Sequence, residues 1–417
     1  MIPISNKNKT FLLISETLAN INLIKEVGMI PYYFHRNFNF NSTILTYKNE
    51  KSYPYLEKFC DGLNLEFLKK KKEFNIRSHG ERPVISYLLR NSRKIDILEV
   101  IHLTNRSILY GLIYKFLNRN GFLYLKLDAW DDIEMHNKLN PFGYSNYNFY
   151  KKESTFKSIK NHIRVLIGKK VSKIFFKKLG IMSIESKEIY NSIKNFPKIK
   201  KKLIYLPSGI DKNQLTKYNI NRLEYKEKKN IILTVGLIGW DPKDHGTLLR
   251  AIPKIKDLKD WKVLFVGKIE SLFKKEINTF YKKHPLLKEN VVFTGFVSRK
   301  KLLEYYQKSK IFCLTSKNES FGIVLVEAGY FGNYIVSTNI PSARDITKSG
   351  KLGKLYKVKD SEELALILEN LIKNEEILVS NYLKIQNYIE KNFLWNDIVS
   401  HLYREIVKRK RIKPSTT

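Results

Sequence analysis

The sequence predicts an α/β protein of two doubly wound, Rossmann-like domains with a cleft between them. The chain has 417 residues, more than a single hydrophobic core usually serves. Short apolar runs alternate with helix-like segments, which is the pattern of a parallel sheet covered by helices. The alternation breaks down near the middle of the chain and then starts again, so we expect a second domain of the same kind.

The elements can be assigned in order along the chain. In the first half, the predicted strands are Phe11–Ser15, Ser42–Tyr47, Ile95–Ile101, Phe122–Leu127, Ile181–Ser183 and Leu203–Leu206, and the predicted helices are Ile30–Phe38, Pro83–Asn91 and Ser107–Leu117. In the second half, the predicted strands are Ile231–Val235, Trp261–Val266, Val291–Thr294, Ile311–Thr315 and Tyr334–Thr338, and the predicted helices are Thr247–Ile255, Leu302–Lys308, Glu362–Ile372 and Tyr382–Val407. The polar residues 212–230 are interpreted as a linker. The predicted domain boundaries follow residues 205 and 390.

The composition bounds the environment and the partners. The formal charge is +36, from 76 basic and 40 acidic residues, so nucleic acid, an anionic membrane or phosphorylated small molecules are candidate partners. A general bias of the composition towards lysine would give the same net charge without any anionic partner. Only two cysteines occur, Cys60 and Cys313, which gives no disulfide framework and no metal-ligand spacing and suits a reducing cytoplasm.

Neither a membrane span nor a signal peptide is expected. No segment reaches about 18 uncharged apolar residues. The first residues are polar and lead directly into the strand-like run Phe11–Ser15, unlike a secretory leader.

Residues 151–178 carry ten Lys or Arg residues and one Glu, with apolar residues at roughly helical spacing. Such a segment fits an anionic membrane surface, with Phe156, Ile163, Phe175 and Phe176 dipping into the interface. An ordinary pair of helices with a solvated basic side is the alternative, and the sequence leaves both open.

The strongest site signal is the run from Ile311 to Gly332, which is predicted as a buried strand, a polar loop and a buried helix. Glu327 interrupts an apolar helix, where an unpaired carboxylate is costly. Either the hydroxyl groups of a ligand satisfy it, or a neighbouring lysine or the backbone does. The helix start, around Phe321, Gly322 and Ile323, presents free backbone N–H groups that favour a phosphate.

A nucleotide-sugar would suit this segment. Glu327 would bind the ribose hydroxyls, the helix start and Ser316 the diphosphate, and Glu319 the sugar.

The loop from Thr234 to Gly246 is a second candidate for phosphate binding. Gly236 and Gly239 permit close approach of the backbone, and Lys243 would neutralise a phosphate. The spacing matches neither a Walker A loop nor the dinucleotide fingerprint, so an ordinary strand-to-helix turn is the alternative.

Taken together, these motifs resemble glycosyltransferase family 4, which comprises retaining enzymes of GT-B fold. The resemblance rests on an ordered set of motifs: Pro207-Ser-Gly-Ile-Asp211, Val235-Gly236 with Lys243 downstream, Phe265-Val-Gly267, Val292-Phe-Thr-Gly295, the Glu-x7-Glu motif from Glu319 to Glu327, Gly332 to Thr338, and Trp395.

The resemblance implies transfer of a sugar from a nucleotide-sugar donor to an acceptor hydroxyl with retention of configuration, without a metal or cofactor. Residues 1–205 would bind the acceptor, residues 206–390 the donor, and residues 391–417 would cross back to the first domain. Lys243 would neutralise the leaving diphosphate. A lipid-linked glycan acceptor in capsule or lipopolysaccharide synthesis, at the inner membrane face, is the expected setting.

The chain departs from the family pattern in two places. Leu237 stands where an arginine is usual, and Arg344, Lys317 or a residue of the first domain would have to replace that cation. Asp128 stands about where many relatives have a histidine near the reacting sugar, so it is either a catalytic or sugar-binding carboxylate or a helix cap.

Two weaker candidates for acceptor or donor-sugar contacts lie in the first domain. His102, predicted at the end of a strand, would contact a ligand or be structural. Gly28 is interpreted as part of the loop between the first strand and its helix, although the usual double glycine is absent.

Two rival classes remain open at this point. A nucleotide-sugar epimerase or a glycogen phosphorylase would share the fold, but the Pro207–Asp211 turn and the context of Glu319 and Glu327 argue against both. A nucleic-acid-binding protein is suggested by charge alone, and no recognised binding module is visible.

Overall fold

The computed structural model describes residues 9–69, 81–127, 168 and 170–411. The chain divides into two compact units: residues 1–208 with 395–417, and residues 209–394. Each unit contains one parallel sheet flanked by helices, which confirms the predicted α/β class with two Rossmann-like domains.

The first sheet has seven strands in the order β3-β2-β1-β4-β5-β6-β7. Its strands are β1 Thr10–Thr17, β2 Asn41–Tyr47, β3 Asn64–Leu68, β4 Ile97–Ile101, β5 Phe122–Leu127, β6 Ile181–Ile184 and β7 Leu203–Tyr205. The helices of this unit are Glu26–Phe38, Pro54–Phe59, Arg82–Asn91, Asn105–Leu117, Lys187–Ile193 and Trp395–Arg411, together with a helical stretch at residues 170–178.

The second sheet has six strands in the order β10-β9-β8-β11-β12-β13. Its strands are β8 Lys229–Val235, β9 Lys262–Val266, β10 Val291–Gly295, β11 Ser309–Leu314, β12 Tyr334–Thr338 and β13 Gly353–Tyr356. The helices are Lys212–Lys217, His245–Ala251, Phe273–Lys283, Arg299–Lys308, Ile323–Tyr330, Pro341–Ile346, Ser361–Lys373 and Glu375–Asn392.

The central strands are apolar throughout because helices cover both sides of a parallel sheet. All six residues of β5 and all six of β11 are buried. In β8, Leu233 packs into one core and Ile232 into the core on the other side. Because both of their faces are buried, these strands appear in the sequence as unbroken apolar runs.

Both sheets reverse their strand order beside the first strand of the unit, between β1 and β4 and between β8 and β11. The loops that follow the two strands at such a point leave in opposite directions and open a crevice at the carboxyl ends of the strands. Ligands of doubly wound proteins bind there, so these two positions define where to look for a site.

The last helix, Trp395–Arg411, packs on the first helix of the first unit. The ring of Tyr403 stacks on Phe38 with centroids 3.9 Å apart, and Asn37 donates to Asn396 at 3.0 Å. Trp395 itself is buried.

Two predicted segments were wrong. Residues 212–230 are not a plain linker, because a helix runs from Lys212 to Lys217 and Asp211 caps it by accepting from the Asn213 N–H at 3.0 Å. Tyr382–Val407 is not one helix either. The helix ends at Asn392, where the carbonyl of Phe393 accepts from the Ile210 N–H at 2.8 Å. Among the described residues, no helix is both long and apolar enough to cross a bilayer.

Candidate functional site

Two loops meet at the switch point of the second sheet, one after β8 and one after β11. The Lys317 N–H donates to the Pro242 carbonyl at 2.9 Å, and the Thr315 hydroxyl donates to the Lys243 carbonyl at 2.7 Å. These bonds hold the two loops, each singled out in the sequence for phosphate binding, as one surface at the carboxyl edge of the sheet.

The two loops also share an ion pair between Lys243 and Glu319. The same Glu319 carboxylate accepts from the Ser316 hydroxyl at 2.7 Å. The side chains of Lys243 and Glu319 are 19% and 12% exposed, so both remain in contact with solvent while being held in place. The structure thus brings Lys243 of one predicted segment together with Ser316 and Glu319 of the other.

The helix Ile323–Tyr330 begins directly after this loop. Its N-cap is Gly322, in the left-handed region at φ 74°, a conformation that favours glycine. Phe321 is buried with its ring 6.0 Å from that of Phe393, which anchors the loop, and Ile323 is half-buried. The helix start therefore lies at the carboxyl edge of the sheet, where its free N–H groups favour an anion.

Glu327 is buried in this helix and forms an ion pair with Arg299 at 2.6 Å. Arg299 in turn donates from Nε to the Gln214 side chain at 2.8 Å. Of the expected alternatives to a ligand, pairing with a neighbouring cation is the one observed, but the cation is an arginine. Burial, with the negative charge of Glu327, raises the pKa of the nearby Tyr306 hydroxyl.

Gly236 lies at the end of β8 and donates its N–H to the Val266 carbonyl at 3.1 Å. Beside it, Gly267 has φ 143°, and a Cβ there would come within 1.8 Å of the Gly236 carbonyl oxygen. The two glycines allow the ends of β8 and β9 to approach closely, which shapes the loop that carries Lys243.

His245, the first residue of the helix His245–Ala251, is buried directly after this loop, and sequence reasoning missed it. Burial, and then the charge of Lys243, lowers the pKa of its imidazole to about 3. The ring is therefore neutral at physiological pH, and its Nδ1 lies 3.4 Å from the Gly239 N–H as an acceptor. A histidine at the start of a helix matches no site motif, so nothing in the sequence distinguished His245 from the residues around it.

Lys317 and Arg344 are the residues of the second unit that were expected to replace the cation absent at Leu237. Lys317 lies in the loop after β11 and pairs with Asp241 of the loop after β8 at 2.5 Å. Arg344 instead donates to the carbonyl and side chain of Asn339, at 2.9 and 2.8 Å. Of these two, Lys317 is the one tied to the loop of Lys243.

In the first unit, Asp128 lies outside the described residues. His102 follows β4, is exposed, and has φ 58°, and its N–H donates to the Lys126 carbonyl at 2.8 Å. Its place at the carboxyl edge is as predicted, and the role expected for it stays a prediction.

The expected location of Gly28 was wrong. It lies inside the helix Glu26–Phe38, not in a loop, and it is buried. A Cβ at this position would come within 2.1 Å of the Leu23 carbonyl oxygen, so close backbone packing explains the glycine.

The switch point of the first sheet carries a polar cluster that the sequence did not reveal. Glu16, at the end of β1, pairs with Arg106 and accepts from the Tyr110 hydroxyl at 2.5 Å. The three side chains come from segments about 90 positions apart, so no local motif marks them.

Most of the basic segment 151–178 lies outside the described residues. Within the helical stretch 170–178, Phe175 and Phe176 are buried, 0% and 3% exposed. The expectation that they would dip into a membrane was therefore wrong, because Phe175 packs on Gly111 of the neighbouring helix. In the parts of the chain that the structure covers, no three His, Cys, Asp or Glu side chains come together as a metal site.

Residues 217–392 match the family model of glycosyl transferases group 1. This segment covers the second sheet and both loops of the candidate site. The second unit is therefore similar to that family, in agreement with the resemblance seen in the motifs.

Named relatives align with slightly less than half of the chain. A 41.2 kDa protein of unknown activity encoded in the cps region of Klebsiella pneumoniae is 29% identical over 178 residues, 42% of this chain and 46% of that protein. The phosphatidyl-myo-inositol mannosyltransferase of Mycobacterium leprae is 24% identical, covering 48% and 52%. The capsular polysaccharide biosynthesis glycosyltransferase CapM of Staphylococcus aureus is 25% identical, covering 47% and 53%. The match thus spans about half the length of these curated relatives.

Solved structures resemble the chain over nearly its whole length. Anabaena HepE, in complex with UDP and glucose, superposes with a TM-score of 0.67 at 15% identity, covering 96% of this chain and all of that one. The sucrose-phosphate synthase of Thermosynechococcus elongatus gives 0.66 at 15% identity, covering 96% and 100%. At this identity the likeness shows the fold, which is GT-B.

Proposed function

We propose that this protein is a glycosyltransferase that moves a sugar from a nucleotide-sugar to an acceptor hydroxyl with retention of configuration. The observation that carries the proposal is the Lys243–Glu319 pair at the switch point of the second sheet. It lies within the segment that matches glycosyl transferases group 1.

The donor diphosphate would bind between Lys243 and the start of the helix Ile323–Tyr330. An ammonium group and free N–H groups stabilise negative charge where it develops on the leaving diphosphate. Lys317 would supply the second cation in place of the one missing at Leu237. No metal or cofactor takes part in this proposal, and the nucleotide-sugar is a substrate.

Glu319 would contact the sugar once the donor is bound. In the structure its carboxylate pairs with Lys243 and accepts from the Ser316 hydroxyl. When Lys243 turns to the diphosphate, this carboxylate becomes available to accept from sugar hydroxyls and to stabilise positive charge at the anomeric carbon. Glu327 would accept from the ribose hydroxyls while it stays paired with Arg299. Asp128 would act on the acceptor side of the reaction. His102 would make a further contact with the acceptor or the donor sugar.

A lipid-linked glycan is the proposed acceptor, in the synthesis of a surface polysaccharide at the cytoplasmic side of the membrane. Two relatives carry names that point this way: one acts on phosphatidyl-myo-inositol and one belongs to capsular polysaccharide biosynthesis. Neither an epimerase nor a nucleic-acid-binding protein occurs among the relatives named above.

The experiment is a transfer assay with a panel of nucleotide-sugars and lipid-linked acceptors, followed by mass spectrometry and by NMR of the anomeric proton of the product. We expect one donor to give an elongated acceptor with the anomeric configuration of the donor. Glu319→Gln should abolish transfer, whereas Glu276→Gln, an exposed carboxylate on the helix Phe273–Lys283, should leave it unchanged. An inverted product contradicts the retaining mechanism, and a free or rearranged sugar formed without an acceptor contradicts the proposal as a whole.

A further inference from the structure

The amino edge of the first sheet carries a dense array of basic residues. Most of them precede the neighbouring strands β1, β4, β5, β6 and β7 or lie in the helix ends that lead into them, and one lies at the end of the last helix, close to Lys9 and Asp96. We call this set the basic edge. Its members are Lys9, Arg93, Lys94, Lys115, Arg119, Lys177, Lys178, Lys200, Lys201, Lys202 and Lys410. Among the described residues that immediately precede these five strands, one is acidic. This residue is Asp96, whose carboxylate accepts from the Thr10 N–H at 2.9 Å.

Hydrogen bonds hold two of these lysines against the segments that precede β5 and β6. Lys115 donates to the Arg119 and Gly121 carbonyls at 2.7 and 2.5 Å, directly before β5. Lys202 donates to the carbonyls of Phe176 and Leu179 at 2.6 Å each, directly before β6. Both ammonium groups therefore bind backbone oxygens and keep their net charge.

The charges of the basic edge act on one another. The pKa of Lys115 is lowered to about 8, by burial first and then by Lys178 and Lys410. Lys9 contributes to the lowered pKa of Lys410 after burial, against the opposing effect of Asp96. Unneutralised repulsion of this kind is relieved when an anion binds.

Helix geometry alone does not explain this array. Cations are favoured at helix C-termini, and in a doubly wound unit all these ends lie at the amino edge of the sheet. The second unit has the same geometry and provides a control. Its amino edge mixes both signs: Glu227 and Lys228 precede β8, Glu289 and Lys288 precede β10, and Lys310 pairs with Glu375 at 2.5 Å.

Exposed apolar side chains accompany the basic edge. Phe116 lies in the last turn of the helix Asn105–Leu117, next to Lys115, and is 82% exposed. Ile174, one turn before Lys178 in the neighbouring helix, is 51% exposed. The two helices touch where Phe175 packs on Gly111.

We propose that the basic edge, with Phe116, is a docking surface for an anionic lipid bilayer. Lysines close to an anionic leaflet attract its headgroups, and an exposed aromatic ring beside them enters the interface. Nucleic acid would use the charge and could stack a base on the ring, but it gains nothing from the exposed aliphatic side chain of Ile174, so the bilayer fits the whole set of observations. The surface acts independently of the proposed transfer reaction.

The test is co-sedimentation of the full chain with vesicles of phosphatidylcholine mixed with phosphatidylglycerol, and with vesicles of phosphatidylcholine alone. We expect binding to the mixed vesicles that weakens as salt is added. Lys177→Gln with Lys178→Gln should reduce the partition coefficient about five-fold for each lysine, about 25-fold in all. Phe116→Ser should reduce it as well, including at high salt.

Matched variants keep the test specific. Lys282→Gln with Lys283→Gln makes the same change at two exposed lysines of the second unit and should bind as the wild type does. Lys157→Gln with Lys160→Gln makes the same change in the part of the basic segment 151–178 that lies outside the described residues. Circular dichroism melting of each variant confirms folding.

Three results would overturn the proposal. The first is wild-type partitioning of the Lys177/Lys178 variant, and the second is a loss confined to the Lys157/Lys160 variant. The third is tighter binding to duplex DNA than to the mixed vesicles, lost in the Lys177/Lys178 variant, which would assign the surface to nucleic acid. Donor binding by each variant, measured separately, shows whether the second unit is intact.

Discussion

Arg299 and Glu327 form an ion pair at 2.6 Å with both side chains nearly excluded from water, 8% and 7% exposed. Arg299 is held in position by Gln214, so the pair joins three helices of the second unit. The desolvation of two charges offsets much of their attraction, whereas the loss of one partner leaves a bare buried charge.

Arg299→Leu should therefore destabilise the protein strongly, by about 3–5 kcal/mol, because Glu327 is left unpaired inside the protein. Arg299→Leu combined with Glu327→Leu should recover most of that loss. Urea unfolding of both single variants and the double variant measures the coupling between the two residues. Additive effects of the single changes would show that the pair does not act as a unit.

Glu99 has both carboxylate oxygens buried without a hydrogen-bond partner among the described residues. Burial raises the pKa of this carboxyl well above its ordinary value, while the charge of Lys126 acts in the opposite direction. The folded protein keeps the proton above the pH at which the unfolded chain releases it. Since the unfolded state binds fewer protons, stability falls as the pH rises from about 4.5 towards the folded pKa.

Glu99→Gln removes this titration and keeps the shape of the side chain. We expect the variant to be at least as stable as the wild type at pH 8 and to show a shallower decline of stability between pH 5 and pH 8. Thermal unfolding at a series of pH values tests this. An unchanged slope would show that Glu99 is ionised in the folded protein.

Gly28→Ala should destabilise the first unit by about 1–3 kcal/mol, because the added methyl group meets backbone atoms of Leu23 that cannot move aside. Gly246→Ala is the matched control within a helix, since the nearest atom to its Cβ is the flexible end of Arg250. That variant should be neutral or stabilised by up to about 1 kcal/mol. Equal thermal shifts for the two variants would contradict the packing explanation of Gly28.

Burial and local motifs explain which parts of the fold could be predicted. The strands β5 and β11 are buried on both sides, and their unbroken apolar runs identified them. The strand β3 is half exposed, with sequence Asn-Leu-Glu-Phe-Leu, and gave no such run, so it was missed. Gly28 was misplaced because close helix packing selects glycine as strongly as a turn does.

The candidate site could also be predicted only in part. Lys243 and Glu319 were each recognisable from local motifs, but their contact joins residues 76 positions apart. Arg299 stands in the basic run Arg-Lys-Lys at the start of a helix, which looks solvated, and only the fold turns it towards Glu327. Partners at long range depend on strand order, which a single sequence does not specify.

Calorimetric titration with nucleoside diphosphates tests the central claim most directly, that the donor binds at the Lys243–Glu319 pair. Lys243→Met should weaken the preferred nucleotide about 10- to 100-fold, the size of a lost hydrogen bond to a charged group. Glu319→Gln should bind it as tightly as the wild type or more tightly, because Lys243 is freed, while losing transfer. Unchanged nucleotide affinity of Lys243→Met would contradict the claim and place the donor elsewhere.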